Sequence, residues 1–525
     1  MVAVTLLHRK GYVRQSLSEH GEQQEADEQW EPEQLLARCQ PIVDVPLKDR
    51  IIRVQAWKRV EVGVAGHAVP ILFLDTDVVE NSPEDRRLTD SLYGGDHVLR
   101  LVQELVLGVG GGRMLRALGY PSETICHMNE GHAAFLLLDR IPLEGSADFE
   151  ERCHELRHRT VFTTHTPVPA GHDLFSVDHL ATVLSPEHLH KVSAISEHGH
   201  LNMTRLAIRF SGTVNAVSRK HMDVTRGMFP DAEVFGITNG VHAVRWTSPP
   251  FARLFDTFVP GWRQRSEQLR QATLIPVENI QQAHKECRDT LLQAIEAKVG
   301  MPFGGAGIVI GFARRSTEYK RPLLIFNDLA RLQRMAEHFG PINLVFAGKA
   351  HPRDEWGKQL IRAVHELASR SGDLVRVAFL PNYDTQLAAQ MVAGVDVWLN
   401  TPRAPLEASG TSGMKCALNG VPSLSIADGW WLEGGIQGVT GWVVRSAFNE
   451  GGVAPLEQDH ADAEALYTQL EQYVMPTFFH NPMAFGEVMR SAIALNGSFF
   501  NTHRMVDQYR VMAYERFAPS SGSSE

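Results

Sequence analysis

Between residues 308 and 426, short apolar runs alternate with amphipathic stretches, and this alternation restricts the fold more than any other feature of the chain. The runs are IVIGF (308–312), NLVFAG (343–348), VRVAFL (375–380), VDVWLN (395–400) and PSLSI (422–426). Helical periodicity fills gaps between them, in PLLIFNDLARLQRMAEH (322–338) and DEWGKQLIRAVHELASR (354–370). Apolar strands spaced by helices predict an α/β class with a parallel, doubly wound sheet. Such sheets bind ligands beyond the carboxyl ends of their strands. Here those ends lead into ARRSTEYKR, KAHPRDE, PNYD and TPRAPLEASG, which concentrate the charged and small residues where a site belongs.

The first half reads the same way less cleanly, with strands expected at 2–6, 69–75, 124–128, 160–165, 213–218 and 233–238. Several end at histidine-bearing loops: HMNEGH, TTHTPVPAGHD, SRKH and TNGVH. Two Rossmann-like, doubly wound domains facing a cleft are therefore expected, the first over 1–242 and the second over 243–485. C-terminal helices over 486–525 are expected to pack back on the first. The acidic, Gln-rich segment 19–34 reads as a solvated loop, GVGGG (108–112) as a loop between helices, and APSSGSSE at the end as a disordered tail.

A net charge of −10 argues against nucleic acid or an anionic membrane as partner. No apolar run approaches the roughly 18–20 residues of a membrane span, and the start lacks a signal peptide's three-part pattern, so a cytoplasmic location is expected. The five cysteines (39, 126, 153, 287, 416) are odd in number and never form C-x-x-C, which fits reduced thiols and not zinc ligands or disulfides. His127 and His132 have H-x4-H spacing and so do not share a helical face as H-E-x-x-H does, and no metal is expected.

The stretch RAPLEASGTSGMKCALNG (403–420) carries the most chemistry. Ser409, Gly410, Thr411, Ser412 and Gly413 are small residues opening a helix, whose free amides suit a phosphate. Lys415 follows, placed to act as a counter-charge or as an amine toward an aldehyde. The order G-x-x-x-x-G-K-[ST] of a nucleotide P-loop is absent. A phosphate with a lysine beside it, outside a P-loop, suggests pyridoxal 5′-phosphate (PLP). Read without context, Lys415 is an ordinary surface lysine, and Arg315 with Lys320 a solvated charge run.

Motifs in order along nearly the whole chain resemble the α-glucan (glycogen, starch, maltodextrin) phosphorylase family, which is PLP-dependent. They are CHMNEGHAAF (126–135), FTTHTPVPAGHD (162–173), VNAVSRKH (214–221), ITNGVH (237–242), GFARRSTEYKR (311–321), FAGKAHP (346–352), FLPNYD (379–384), EASGTSGMKCALNG (407–420) and DGWWLEG (428–434). The forms NEGH and GTSGMK resemble its short bacterial and archaeal branch. The resemblance implies a GT-B type fold and transfer of a terminal glucosyl unit to inorganic phosphate, giving α-D-glucose 1-phosphate with retention. It implies that Lys415 holds PLP, with Thr411 and Gly410 at its phosphate and Tyr383 beside its ring. Arg315 and Lys320 match the basic pair that brings the substrate and cofactor phosphates together, with Tyr319 next to them. Glu407, Ser409 and Asn239 match groups on the sugar hydroxyls, His165 the histidine over the glucosyl site, and Glu130 and His132 the acidic and histidine positions of N-D-T-H. The family's glucan and phosphate substrates, and its usual homodimer, are expected in turn.

Retaining glycosidases use two flanking carboxylates, and no such pair stands out here. A nucleotide-sugar glucosyltransferase of the same architecture is the rival enzyme; many of those carry E-x7-E, but the position eight after Glu407 is Lys415. MVAVTLLHRKGYVRQ resembles an interior stretch of the family, so the first domain is expected to be incomplete at its N-terminus and to lack a glycine-rich loop near phosphate. A non-catalytic glucan- or PLP-binding remnant is the other alternative.

Overall fold

The computed structural model describes residues 1–92, 96–142, 149–300, 303–370, 372–446 and 454–517. The tail at 518–525 lies outside them. The architecture is mixed α/β, with two parallel sheets and one mixed sheet as its frame.

The larger parallel sheet has six strands in the order Val375–Leu380, Ile342–Ala347, Ile308–Ala313, Val397–Asn400, Ser423–Ile426, Gly441–Val444. Every residue of Ile308–Ala313, Ile342–Ala347 and Val397–Asn400 is buried. Helices cover both faces, which is why these strands read as continuous apolar runs. The order reverses between Ile308–Ala313 and Val397–Asn400, and the crevice at such a reversal is where a ligand fits. The expected helix over 322–338 is broken: a 3₁₀ turn at Leu324–Phe326 precedes Leu329–Phe339, whose start is capped by Asp328 accepting from Arg331 N. Asp and Asn favour caps over helix interiors, and Asn327–Asp328 was the signal for this break.

The smaller parallel sheet has the order Val234–Gly236, Thr213–Ala216, Thr160–Thr163, Cys126–Asn129. The mixed sheet pairs Ala3–Leu6 parallel to Ala68–Asp75, then adds Ile51–Val62 and Ala37–Pro46 antiparallel. That long antiparallel pair has no counterpart in the strands expected above. Much of it faces solvent, so it lacks the unbroken apolar run that marks a parallel strand. Its register shifts between Arg38 and Ile42, at Pro41, which cannot donate to a ladder.

Two further expectations need correction. GVGGG does not form a loop: helix His97–Leu105 runs through a π turn at Val106–Gly110 into helix Gly111–Ala117. The glycines serve close packing, since a Cβ on Gly108 would stand 2.4 Å from Leu136 N and 2.5 Å from the Phe135 carbonyl carbon. Nor is the whole of 19–34 a solvated loop. Arg14–Leu17 and Gln23–Ala26 form an antiparallel hairpin that lies against the loops of the six-stranded sheet.

The C-terminal segment lies against the smaller parallel sheet. Arg504 donates to the Thr238 and Asn239 carbonyls, and Tyr509 and Tyr514 reach Asn215 and His127. Among the described residues no helix is long and apolar enough to cross a membrane.

Candidate active site

At the carboxyl edge of the six-stranded sheet, side chains from different loops meet around Glu407. Lys320 Nζ donates to Glu407 Oε2 at 2.6 Å, and Arg314 donates to the same oxygen at 2.7 Å. The three side chains are at most 10% exposed. Arg314 follows strand Ile308–Ala313 directly and also donates to Asn400 Oδ1 at 2.5 Å, at the end of the neighbouring strand across the reversal. Lys320 stacks over the Tyr319 ring at 4.4 Å. One carboxylate thus faces two cations. The cations hold Glu407 below the usual carboxylate range against its burial. Burial, with Arg314's charge added, pushes Lys320 down to about 7.

Asp428 supports this cluster from beneath. One of its carboxylate oxygens accepts from Glu407 N at 2.8 Å and the other from Gly429 N at 2.8 Å. The side chain is buried, and burial raises its carboxyl to about 7. Arg321 secures the adjoining loop with donations to the Thr401 and Pro402 carbonyls.

Lys415 lies on helix Ser412–Ala417, which starts two residues after Gly410 (φ 77°). Its Nζ sits 3.8 Å from the centre of the Trp246 ring and pairs with no described carboxylate. Burial lowers its pKa, favouring the free amine. The Thr411 hydroxyl makes no cap bond to that helix. Ser409 is buried, its carbonyl accepting from Trp430 N. Tyr383 is packed among apolar side chains next to Cys416, and burial raises its phenol. Arg315 points outward from the same loop as Arg314, is exposed, and has no hydrogen-bond or ion-pair partner among the described residues.

The smaller sheet contributes a second group of residues. Glu130, in a positive-φ turn (79°), accepts from His165 N at 2.7 Å and from the Thr166 hydroxyl at 2.9 Å through one carboxylate oxygen. Its other oxygen accepts from Gly131 N. His165 Nε2 lies 2.7 Å from Asn129 Oδ1, its ring partly open to solvent yet recessed enough that desolvation lowers its pKa. His132 is lowered for the same reason. Asn239 is held through its backbone, donating to Val217 O and accepting from Arg504. His127 bonds Tyr514 and Thr163 instead of pointing toward His132. Among the described residues no group of three or more His, Cys, Asp or Glu is placed to hold a metal.

The two groups are linked. Ser218 Oγ donates to Ala408 O at 2.6 Å, and Thr238 Oγ1 lies within 2.9 Å of both Glu433 carboxylate oxygens. The helix that Ser218 caps also carries His221, in electrostatic contact with His165. Sequence reasoning missed Arg314, Asp428, Asn129 and Ser218. Arg314 and Asp428 each stand at a strand end inside a quoted motif, so position gave the signal, but nothing local separated them from their neighbours. A cavity of about 840 Å³ lies elsewhere, on the smaller sheet's side against Arg157, Ser211, Thr213 and Phe229, and holds none of these groups.

The carbohydrate phosphorylase family profile matches residues 143–443. The chain is 39% identical over 550 residues to the maltodextrin phosphorylase of Thermococcus litoralis, covering 97% of this chain and 65% of that protein. It is 37% identical over 573 residues to a glycogen phosphorylase of Mycobacterium tuberculosis, covering 97% and 65%. With the glycogen phosphorylase of Aquifex aeolicus it shares 32% identity over 580 residues, covering 99% and 81%. The chain thus spans just under two thirds of the first two relatives. The extent of the profile match and the coverage of the third relative lead to one assignment: this chain belongs to the carbohydrate phosphorylase family.

Proposed function

We propose that the chain carries the PLP-dependent phosphorolysis of α-1,4-glucan, moving a terminal glucosyl unit to inorganic phosphate as α-D-glucose 1-phosphate. The observation that carries this reading is the buried Lys320–Glu407–Arg314 cluster at the sheet reversal. It gathers two cations and a carboxylate in one spot, and Lys415, eight residues after Glu407, pairs with no described carboxylate. The names of the relatives, maltodextrin and glycogen phosphorylase, support the substrate class. The two parallel sheets are read as the cores of two Rossmann-like domains with the substrate cleft between them. The enzyme is read as cytoplasmic, in keeping with its five free cysteines, and as a homodimer.

PLP fits the residues present. Lys415 has a lowered pKa and an amine that pairs with no described carboxylate, as suits bonding to an aldehyde. The Thr411 hydroxyl, which makes no cap bond to its helix, and the glycine turn at Gly410 suit its phosphate. When bound, PLP supplies a phosphate that exchanges a proton with the substrate phosphate. Lys415 and Tyr383 hold the cofactor in place. Arg315, with its guanidinium unengaged, and Lys320 bind the substrate phosphate and offset the repulsion between two anions. Glu407, Ser409 and Asn239 orient the sugar hydroxyls. Glu130 fixes the loop that puts His165 over the ring, and His132 lies behind it. The bond from C1 to the glycosidic oxygen breaks, that oxygen takes a proton from the phosphate, and a phosphate oxygen bonds C1 on the same face.

The test is release of glucose 1-phosphate from maltodextrin by the PLP-supplemented chain, with Lys415→Ala as control. Phosphate-dependent release by the wild type alone is expected. A folded, PLP-loaded chain that releases none refutes the reading for this chain by itself.

A further inference from the structure

The hairpin Arg14–Leu17/Gln23–Ala26 touches the loops that carry site residues, and Gln15 is the centre of that contact. Gln15 is 4% exposed. Its backbone N–H donates to Asn382 Oδ1 at 3.1 Å, and its side-chain oxygen accepts from Asn382 N at 2.8 Å. Its side-chain nitrogen donates to Gly348 O at 2.9 Å and to Gln23 Oε1 at 2.7 Å. Gln23 continues the seam, exchanging bonds with the N–H and C=O of Ala350. Lys349 Nζ reaches back to Val13 O at 2.6 Å.

Both loops lead straight to the site. Asn382 has φ 56°, a conformation Asn tolerates better than most residues, and Tyr383 follows it. Asp384, next along, caps helix Thr385–Gly394 by accepting from Leu387 N. Tyr383 is therefore held between two fixed residues, one of them hydrogen-bonded from the hairpin. At the other contact, a Cβ on Gly348 (φ 157°) would stand 2.0 Å from Arg314 O, so the two backbones touch. Arg314 N also donates to Ala347 O, and Ser316 N to Lys349 O. A shift of 348–350 cannot leave 314–316 in place.

We propose that Gln15 is a positioning residue: from a hairpin more than 300 positions away in sequence it sets, through Asn382 and Gly348, where Tyr383 and Arg314 stand. The proposal rests on the reading that PLP binds beside Tyr383. Buried hydrogen bonds that join distant segments lose more than their own energy when cut, because the partner groups stay desolvated. The hairpin, whose second strand lies in the segment that composition marks as a polar loop, then braces the loops that hold the cofactor's neighbours.

The experiment measures PLP retention of the full chain by the absorbance of bound pyridoxal during dialysis, alongside maltodextrin affinity and melting temperature. Gln15→Ala and Asn382→Gly, the latter keeping the positive φ without strain, are expected to lose PLP roughly tenfold faster than wild type, with maltodextrin affinity unchanged in Asn382→Gly, which leaves the Gly348 contact intact. Asn382→Asp keeps an acceptor for Gln15 N–H and is expected to behave as wild type. Wild-type retention in folded Gln15→Ala or Asn382→Gly overturns the proposal, as does a fall in melting temperature without faster PLP loss. If Gln15→Ala does not fold, the Asn382 pair decides. Failure of the wild type to retain PLP, or equal retention by Lys415→Ala, overturns the functional reading itself and is seen before any Gln15 variant is compared.

Discussion

Replacing Asp428 by Asn tests whether burial or hydrogen bonding controls the carboxylate beneath the site. The two backbone N–H donors would favour the anion, whereas burial favours the acid and wins, raising the group from 3.8 to about 7. The folded protein then holds a proton that the unfolded chain releases, so this group's contribution to stability is intact below pH 4. It is lost progressively as pH rises through 7. With one pKa unit worth about 1.36 kcal/mol, the loss between pH 5 and pH 8 is about 2.5 kcal/mol. Asn does not titrate, so this loss vanishes in the variant. Asn also accepts only one of the two N–H bonds well, at a pH-independent cost of about 1–2 kcal/mol.

The observable is the melting-temperature difference, variant minus wild type, from pH 5 to pH 8. Taking the difference cancels the other titrating groups wherever the sites act independently. It is expected to start negative and climb with pH, the variant overtaking wild type near or above neutrality. A flat difference across that range would show that the two amides hold Asp428 ionised and that desolvation does not dominate. A falling difference would reverse the assigned direction outright.

Other consequences follow from the same geometry. Lys320, at about 7, loses its charge as pH rises, so apparent phosphate affinity should fall above pH 7 in wild type. Because unfolded Lys320 binds the proton more tightly, the group's effect on stability becomes more favourable between pH 7 and 10; a Lys320→Met variant should lose that slope in melting experiments. Arg315→Ala should raise the KM for phosphate tenfold or more and leave maltodextrin affinity alone; an unchanged phosphate dependence would remove Arg315 from the site. Gly108→Ala places a methyl 2.4 Å from Leu136 N and should destabilise by about 1–3 kcal/mol, read as a lowered melting temperature; a neutral result would mean the two segments separate easily.

The six-stranded sheet was legible because burial on both faces leaves an apolar run that survives in sequence, as in Ile308–Ala313 and Ile342–Ala347. Strands Ala37–Pro46 and Ile51–Val62 were not, because solvent on much of their surface mixes charge into the run. Local chemistry marked Lys415, and the resemblance carried by motif order supplied Glu407 and the other neighbours. Partner choice stayed hidden. Nothing in RRSTEYKR says that Arg314 turns inward to Glu407 while Arg315 turns outward; that depends on the strand's pleat and on Asn400, 86 positions away. Gln15 is the extreme case, a polar residue in a polar stretch whose role exists only once two loops of a distant sheet arrive beside it.

The charge balance of the site gives the proposed reading its physical sense. The chain as a whole carries −10, which repels phosphate at long range. Screening limits that repulsion to about 8–10 Å at ordinary salt, so affinity depends on the charges within that distance. Glu407 alone would worsen the problem, but Arg314 and Lys320 share one of its oxygens, and Arg315, exposed and unpaired among the described residues, adds a further cation on the same loop. Lys320, poised near 7, is the adjustable member of the set. An arriving dianion would favour its charged form and raise its pKa, so phosphate binding should take up a proton near neutral pH. That uptake would vanish in Lys320→Arg, whose charge is permanent. Proton uptake measured calorimetrically in two buffers of different ionisation enthalpy separates the two cases, and equal uptake by both proteins would place the titrating group elsewhere.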